Sequence, residues 1–282
     1  MSDSVSRLIV TILSDNLVAA GEGVLGEHGL CLHVEADGHA LLFDTGQSGV
    51  FLGNAARLNL NLAPARTVVL SHGHYDHTGA LPLLLAAFGP REIVAHPKLF
   101  ADKFVRRPGA KPRQIGAAFG ADELVRRGAV LRLDAQPQEL LPGIVTTGTI
   151  ERTTDFEVIP RVFAVRVGSR MRGDEFEDEQ GLIVRTRRGL VVIVGCSHRG
   201  VINAVRHAIK LTGEPRVHAV VGGMHLGPAS EDQLEGTIAE LRRLGVSRVV
   251  GCHCTGFGPS AELKAALGDG FSPGGVGLTL ET

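Results

Sequence analysis

The sequence has no tryptophan, one tyrosine and an aromatic content of 4%, so few rings are available to stack against a large aromatic ligand. Its formal net charge is −1 at pH 7, which gives no overall attraction to nucleic acid or to a membrane surface. No apolar stretch reaches the roughly 18 to 20 residues that a membrane span needs. We therefore predict neither a nucleic-acid partner nor a membrane partner.

Cysteine is also scarce, with four residues in a chain of 282. Cys31, Cys196, Cys252 and Cys254 do not form the even, loop-spanning framework of a disulfide-stabilised protein. We predict free thiols and a reducing, cytoplasmic location. A chain of this length with 44% hydrophobic residues can bury a sizeable core, and we predict that residues 1–282 form one domain.

One short stretch, Thr67 to Gly79, is dense in metal-binding side chains and reads TVVLSHGHYDHTG. Its first four residues predict a buried strand. His72, His74, Asp76 and His77 follow within six positions, and imidazole and carboxylate suit zinc, iron or manganese. In an extended segment His72 and His74 point the same way and could hold one ion. Asp76 and His77 could hold a second ion beside it.

Further histidines follow later strands at the carboxyl end. The runs 191–194, 217–221 and 248–250 lead into His198, His225 and His253. In layered α/β folds the carboxyl ends of the strands border one crevice, so we expect these histidines to share a site with the first motif. Two ions about 3.5 to 4 Å apart need roughly six to eight ligand atoms. We assign His198 to the first ion and His253 to the second.

Other residues near these strand ends have more than one possible role. Cys196 could bridge the ions, bind the second ion or be an inert core thiol. His225 could be a ligand, but we favour a hydrogen bond to the substrate. Cys252 and Cys254 point away from the histidine between them, so we predict that both pack in the interior. His28, in a Gly-rich loop, is one more histidine that could approach the site.

Two charged segments interrupt the pattern of strands and helices. Residues 98–120 are rich in lysine and arginine and could be a solvated excursion, or a lid whose Arg106, Arg107 and lysines meet an anionic substrate. Residues 170–180 are rich in acids and predict an exposed loop, because like charges in a pocket would repel.

The rest of the chain predicts a layered α/β fold. Asp37-Gly38 predicts a hairpin turn between two strands. Asp44 ends the second of these strands, where it could cap a turn or hold a ligand histidine in one tautomer. From residue 181 onwards a second hairpin is followed by alternating strands and helices, which indicates an α/β layered architecture.

Several motifs together resemble one protein family. Ser71 to His77 resembles the H-x-H-x-D-H signature of the metallo-β-lactamase superfamily, and LFDTG at 42–46 resembles its strand-end Asp motif. The runs EHGL, GCSH, GGMHL and HCTG, which begin at residues 27, 195, 222 and 253, resemble the branch that contains an archaeal synthase of methanopterin biosynthesis. The resemblance covers nearly the whole chain. It implies a four-layer αββα sandwich with a binuclear metal site at one edge.

The sequence departs from the superfamily pattern at two ligand positions. Most members carry a histidine in a TPGH run, but residues 142–146 read PGIVT. The strand that usually ends in Gly-Asp ends here in Gly195-Cys196. By resemblance, His198 could replace the missing histidine and Cys196 the bridging aspartate, with weaker binding of the second ion.

The metal motif and the resemblance together predict hydrolysis of a small anionic substrate that carries phosphate or pyrophosphate. Two divalent ions would act, zinc first, with manganese or iron(II) as alternatives. Water between the ions would be the nucleophile, and Asp76 would orient it. His225 or a lid arginine would steady the substrate, and the backbone at Thr255 could bind a phosphate. The alternatives are a pterin-pyrophosphate arylamine transferase, a di-iron redox protein and a non-catalytic metal sensor. No oligomeric state is predicted.

Overall fold

The hairpin predicted at Asp37-Gly38 is present in the first of two large sheets. In this computed structural model, which describes residues 4–19 and 23–282, the two turn residues have φ angles of 48° and 83°, as a two-residue hairpin turn requires. Pairing is antiparallel around the hairpin and parallel from the strand His39–Phe43 onwards. The strands lie in the spatial order Thr279–Glu281, Leu8–Ser14, Cys31–Ala36, His39–Phe43, Thr67–Val69, Arg91–Ala95 and Ala129–Leu133.

The second large sheet contains the other predicted hairpin, Leu182–Thr186 with Gly189–Val194, which is also confirmed. Beyond it the strands run parallel, so their carboxyl ends meet at one edge. The strands lie in the spatial order Glu139–Leu141, Ile144–Thr146, Leu182–Thr186, Gly189–Val194, Val217–Gly223, Arg248–Cys252 and Phe271–Pro273.

Helices cover the outer faces of both sheets. Three of them, Val201–Thr212, Glu231–Arg243 and Phe257–Leu267, alternate with strands after the second hairpin, as predicted, and the four-residue helix Tyr75–Thr78 lies within the histidine motif. None of the helices in residues 4–19 and 23–282 is long and apolar enough to cross a membrane. The α-helices are Val50–Arg57, Tyr75–Thr78, Leu81–Phe88, Ala121–Arg126, Val201–Thr212, Glu231–Arg243 and Phe257–Leu267.

Three buried clusters hold these layers together. The first lies between the sheets and joins residues of both, such as Phe43 and Ile193. The second joins the first sheet to its helices through residues such as Phe51 and Leu84, and the third does the same for the second sheet. Full burial of one such side chain contributes about 1.5–3 kcal/mol. The predicted four-layer αββα sandwich is confirmed.

A small third sheet lies over the histidine motif and includes part of the basic segment 98–120. Its strands are Arg170–Gly173, Phe163–Val167, Lys103–Val105 and Arg113–Gln114. The backbone N–H of Tyr75 donates to the carbonyl of Ile115 at 3.0 Å, so the segment is attached directly to the metal motif.

Two sequence predictions about charge are wrong here. Lys103 does not face a substrate: it is 1% exposed, and its Nζ donates to Asp174 at 2.7 Å and to Asp178 at 2.8 Å. The acidic segment is not an exposed loop throughout, because Asp174, Asp178 and Glu179 are 6%, 1% and 1% exposed. The buried carboxylates are tolerated since the ammonium group and backbone N–H groups satisfy them.

Candidate metal centre

The histidine motif changes from extended to helical backbone part-way through. The strand Thr67–Val69 ends before His72, and a one-turn helix, Tyr75–Thr78, starts directly after His74. His72 and His74 therefore precede the helix, while Asp76 and His77 lie within it. These four side chains are all buried, so the motif forms the floor of a site.

His72, His74 and His198 come together as predicted for the first ion, with one ligand atom from each within 4.8 Å of the others. Their ring centroids are 4.6 to 5.0 Å apart. Burial, followed by repulsion from neighbouring histidines, lowers the pKa of His72 and His198 well below its ordinary value. Burial also holds the pKa of His74 well below its ordinary value. All three are thus neutral imidazoles, the form that binds a metal ion.

The second predicted group is brought together in part. Asp76 Oδ2 lies 3.2 Å from His253 Nε2 and 4.0 Å from His77 Nε2. His77 Nε2 is closer to Cys196, at 3.1 Å from its sulfur. Burial raises the pKa of Asp76, but hydrogen bonds from His253 and His28 outweigh it and hold the pKa well below its usual range.

His28 is a member of this second group that the sequence only hinted at. Its Nε2 lies 3.1 Å from Asp76 Oδ2, and one ligand atom each from His28, Asp76 and His253 lie within 4.8 Å of one another. In the sequence, the signal for the contact between His28 and Asp76 is Gly29, which follows His28 directly. Gly29 has φ 153°, and a Cβ there would lie 2.5 Å from the carbonyl oxygen of Asp76, so only glycine lets the two segments approach this closely.

Asp44 makes the contact with a histidine that was one of its two predicted roles. Its Oδ2 lies 2.6 Å from His77 Nδ1, and its Oδ1 accepts the backbone N–H of Ser71 at 2.7 Å. This bond turns Nε2 of His77 towards the site. Burial lowers the pKa of His77, but the carboxylate outweighs burial and raises it to about 9. Asn16 plays a similar part for His253, with its Oδ1 2.7 Å from Nδ1, and was not predicted.

Two residues of the acidic segment 170–180 hold His198 in place, and neither contact was predicted from the sequence. Glu179 accepts the backbone N–H groups of His198 at 2.7 Å and of Arg199 at 2.6 Å. Phe176 stacks on the His198 ring at a centroid distance of 3.9 Å. Burial raises the pKa of Glu179 to about 7. No local motif marks these contacts, because they join segments about 20 residues apart through the fold.

A third group of donors contains sulfur. One atom each from Cys196, His225 and Cys254 lie within 4.8 Å of one another. Burial raises the pKa of Cys254, but the influence of the neighbouring Cys196 and His225 outweighs burial and lowers the pKa well below its ordinary value. Burial and the neighbouring Cys254 raise the pKa of Cys196 well above its ordinary value. Cys252 packs in the core between the sheets, as predicted, whereas Cys254 faces the site.

A cavity of about 280 Å³ opens above these groups. Its wall combines site histidines with the small sheet, and Arg107 and Arg113 line it together with Tyr75 and Phe163. Arg113 was not singled out in the sequence; its guanidinium lies 5.9 Å from the Tyr75 ring centroid.

Two residues predicted to bind substrate lie outside the lining of this cavity. Arg106 is exposed and donates its backbone N–H to Val162 at 2.7 Å; successive residues of an extended segment face opposite sides, which separates it from Arg107. Thr255 is 1% exposed, and its hydroxyl donates to the Cys252 carbonyl at 2.7 Å. Its side chain therefore fixes a turn and does not line the cavity, while a phosphate contact through the backbone at this position stays a prediction.

The donor atoms of the site fit metal ions. Among residues 4–19 and 23–282, ring nitrogens of His72, His74, His198 and His225 are buried without a hydrogen-bond partner. A buried polar atom left unsatisfied costs about 1–3 kcal/mol, so four such side chains pointing at one another call for a shared partner. Divalent cations accept this arrangement of neutral imidazole, carboxylate and thiol ligands.

Comparison with known proteins agrees with this geometry. Residues 25–156 match the family model of the metallo-beta-lactamase superfamily. A solved structure of a metal-dependent hydrolase of the β-lactamase superfamily is 32% identical, with a TM-score of 0.84 over 98% of this chain and 99% of the other. This chain belongs to the metallo-β-lactamase superfamily.

Relatives of this chain within the metallo-β-lactamase superfamily carry names that refer to different functions. The 7,8-dihydropterin-6-methyl-4-(beta-D-ribofuranosyl)-aminobenzene-5'-phosphate synthase of Methanocaldococcus jannaschii is 32% identical over 262 residues, which are 90% of this chain and 89% of that protein. An uncharacterised protein of the same organism is 30% identical over 95% of this chain and 98% of its own length. The zinc-bound PqqB of Methylobacterium extorquens, at 16% identity and a TM-score of 0.56 over 96% of this chain and 99% of its own, shares the fold.

Proposed function

We propose that this chain is a metal-dependent hydrolase that uses two divalent ions on a small substrate carrying phosphate or pyrophosphate. One observation carries the proposal. Histidines whose buried ring nitrogens have no hydrogen-bond partner among the described residues converge at the base of a cavity that Arg107 and Arg113 also line. The histidines suit cations and the arginines suit an anion, so the cavity combines a metal site with an anion site.

The side chains present would hold the ions in two groups. His72, His74 and His198 would hold the first ion, and Asp76, His77 and His253 the second, with Cys196 and His28 adjacent. Bound divalent ions lower the pKa of water towards ~7 and polarise a phosphoryl oxygen. Imidazole-rich ligands favour zinc, with manganese and iron(II) as alternatives.

The protein's own groups would bind and orient the substrate. Asp76 stays ionised between His253 and His28 and can accept a hydrogen bond from a water molecule at its free lone pairs, which would orient that water. Arg107 and Arg113 can each offer planar, two-pronged hydrogen bonds to phosphate oxygens. Tyr75 and Phe163 belong to the apolar part of the wall, together with residues such as Ile115 and Val162, and this part limits the access of bulk water.

The arginines provide a sharp test, because Arg106 is a matched control beside Arg107. The assay is release of para-nitrophenolate from phosphate mono- and diesters by the zinc-loaded protein. We expect Arg107→Ala and Arg113→Ala to lower kcat/KM roughly tenfold or more, since a hydrogen bond to a charged group contributes about 1.5–3 kcal/mol. Arg106→Ala should leave kcat/KM unchanged. Equal losses in all three variants, or metal binding without turnover of any phosphoester as in a metal sensor, would overturn the proposal.

A second candidate function comes from one relative. A protein 32% identical over 90% of this chain is called a synthase that joins a dihydropterin methyl group to a ribofuranosyl aminobenzene phosphate. The same cavity could hold a dihydropterin pyrophosphate while an arylamine displaces the pyrophosphate. The two functions separate in one assay of pyrophosphate release from that substrate. Release that requires the arylamine identifies a transferase, and release without it identifies a hydrolase.

A further inference from the structure

The sulfur-containing group lies where three neighbouring parallel strands end. Gly189–Val194, Val217–Gly223 and Arg248–Cys252 are adjacent in the second sheet. Each supplies one donor just past its carboxyl end, namely Cys196, His225 and Cys254. The convergence follows from the parallel order of these strands, which brings their carboxyl ends together at one edge of the sheet.

The contacts within this group leave its donor atoms facing one another. Cys254 Sγ accepts the backbone N–H of His225 at 3.3 Å and lies 3.5 Å from the carbonyl oxygen of Cys196. In the described part of the chain, neither ring nitrogen of His225 has a hydrogen-bond partner, and both are buried. His225 also has φ 48°, a strained value for a residue with a side chain. The fold therefore holds an unsatisfied imidazole against two thiols.

Cys196 connects this group to the histidine groups. Its sulfur lies 3.1 Å from His77 Nε2, and His72, His77 and Cys196 also place one ligand atom each within 4.8 Å of one another. The ring centroids of His198 and His225 are 4.3 Å apart. An ion beside the thiols would thus adjoin the two ions of the proposed hydrolase.

The geometry points to a thiolate-containing metal position formed by Cys196, His225 and Cys254, which takes a zinc-like ion. Zinc binds sulfur at about 2.3 Å and imidazole nitrogen at about 2.0–2.1 Å, so two ligands of one tetrahedral ion lie roughly 3.3–3.8 Å apart. The three donor atoms lie within 4.8 Å of one another, so side-chain movements of about 1 Å would bring them onto one ion. As each metal–sulfur bond forms, the thiol releases its proton to solvent.

The position would decide which metal the centre selects. Thiolate favours zinc and other soft or borderline ions, whereas manganese and magnesium prefer oxygen. A centre with only histidine and aspartate ligands would discriminate less between zinc and manganese. The inference rests on the proposed function only for the neighbouring ions, and its readout does not depend on turnover.

Cobalt(II) is the probe, because it occupies zinc positions and reports sulfur ligation directly. Metal-free full-length protein is titrated with Co²⁺ without oxygen and in the presence of a phosphine reductant. We expect a sulfur-to-cobalt charge-transfer band in the near ultraviolet, beside the visible bands of histidine-bound cobalt. The single variants Cys196→Ser and Cys254→Ser should keep roughly half of the near-ultraviolet band, since one thiolate remains, and the double variant should lose it.

Cys252→Ala is the matched control, because its thiol lies two residues from Cys254 but packs between the sheets. It should retain the full near-ultraviolet band. Circular dichroism checks that each variant is folded. The cobalt spectrum of the wild-type protein alone already tests for a thiolate ligand. Visible cobalt bands without a near-ultraviolet band in wild type would overturn the thiolate position and leave the proposed hydrolase standing. Absence of both kinds of band would remove the metal centre and the proposed function together.

Discussion

Replacement of Lys103 by methionine tests the buried ion cluster that supports the metal motif. The Lys103 ammonium donates to Asp174 at 2.7 Å and to Asp178 at 2.8 Å, and lies 4.7 Å from the Phe176 ring centroid. Asp178 in turn accepts the backbone N–H of Gly73 at 2.8 Å, which lies between the first two motif histidines. The cluster thus connects the small sheet to the metal site.

The expected loss of stability is large because the side chains of the cluster are buried away from solvent. Removal of one partner from a buried ion pair costs about 3–5 kcal/mol, since the remaining charges are left uncompensated. Methionine keeps most of the apolar stem of Lys103, so little of the loss comes from packing. Burial lowers the pKa of Lys103, but Asp178 and Asp174 outweigh burial and raise it above its ordinary value of 10.5. The ammonium's contribution is therefore complete below about pH 10.5 and is lost only as pH rises through the raised pKa.

Lys98→Met is the matched control, because Lys98 pairs with Glu177 at the surface, where their side chains are 56% and 55% exposed. Such a pair contributes about 1 kcal/mol or less. Urea unfolding of the metal-free proteins at neutral pH gives the free energy of unfolding without a contribution from bound ions. A loss for Lys103→Met within about 1 kcal/mol of the loss for Lys98→Met would refute this account of the cluster.

Four further predictions concern the residues around the second ion. The pKa of His77 is raised to about 9, so a proton competes with the metal ion for this side chain below that pH. Metal affinity, measured by competition with a chromophoric chelator, should therefore rise from neutral pH to about pH 9. An affinity that does not change over this range would contradict the prediction. In the metal-free protein the protonated His77–Asp44 pair adds stability that is complete below pH 6.5 and is lost as pH rises through about 9, which urea unfolding at several pH values can detect. Asp44→Asn should weaken metal binding about 10- to 100-fold, as loss of a residue that orients a ligand does; unchanged affinity would exclude an orienting role. Gly29→Ala should lower the free energy of unfolding by more than the backbone strain of about 1–3 kcal/mol and separate His28 from Asp76, because the added Cβ would lie 2.5 Å from the carbonyl oxygen of Asp76. Gly213→Ala, also at positive φ but with no atom within 4 Å of the added Cβ, should cost only the strain; equal losses on urea unfolding would contradict this.

The parts that sequence reasoning predicted rest on local patterns. The Asp37-Gly38 turn, the alternation of strands and helices after residue 181 and the histidines at strand ends are each contained in a few consecutive residues. The rule that parallel strands end at one edge then brings distant histidines together. His72, His74 and His198 could be grouped in this way, although the last is more than 120 residues from the first two.

The parts that sequence reasoning missed depend on partners far apart in the chain. Asp174 and Asp178 seemed exposed because their own segment is acidic, but the compensating Lys103 is 71 and 75 residues away. His28 joins Asp76 only because Gly29 admits a close backbone approach. Cys254 faces the site rather than the core because the short 3₁₀ helix His253–Thr255 turns the chain after its strand, which alternation along a strand does not foresee.

The metal content of the purified protein tests the central claim most directly. Mass spectrometry is applied to wild type, His198→Ala and His33→Ala, prepared without added metal. His33 is the control, because its Nε2 is also buried without a partner in the described chain but joins none of the donor groups found there. We predict at least about two ions per chain in wild type and in His33→Ala, and about one fewer in His198→Ala. A wild type that binds no ion even after metal is supplied, or an equal loss in both variants, would contradict the account.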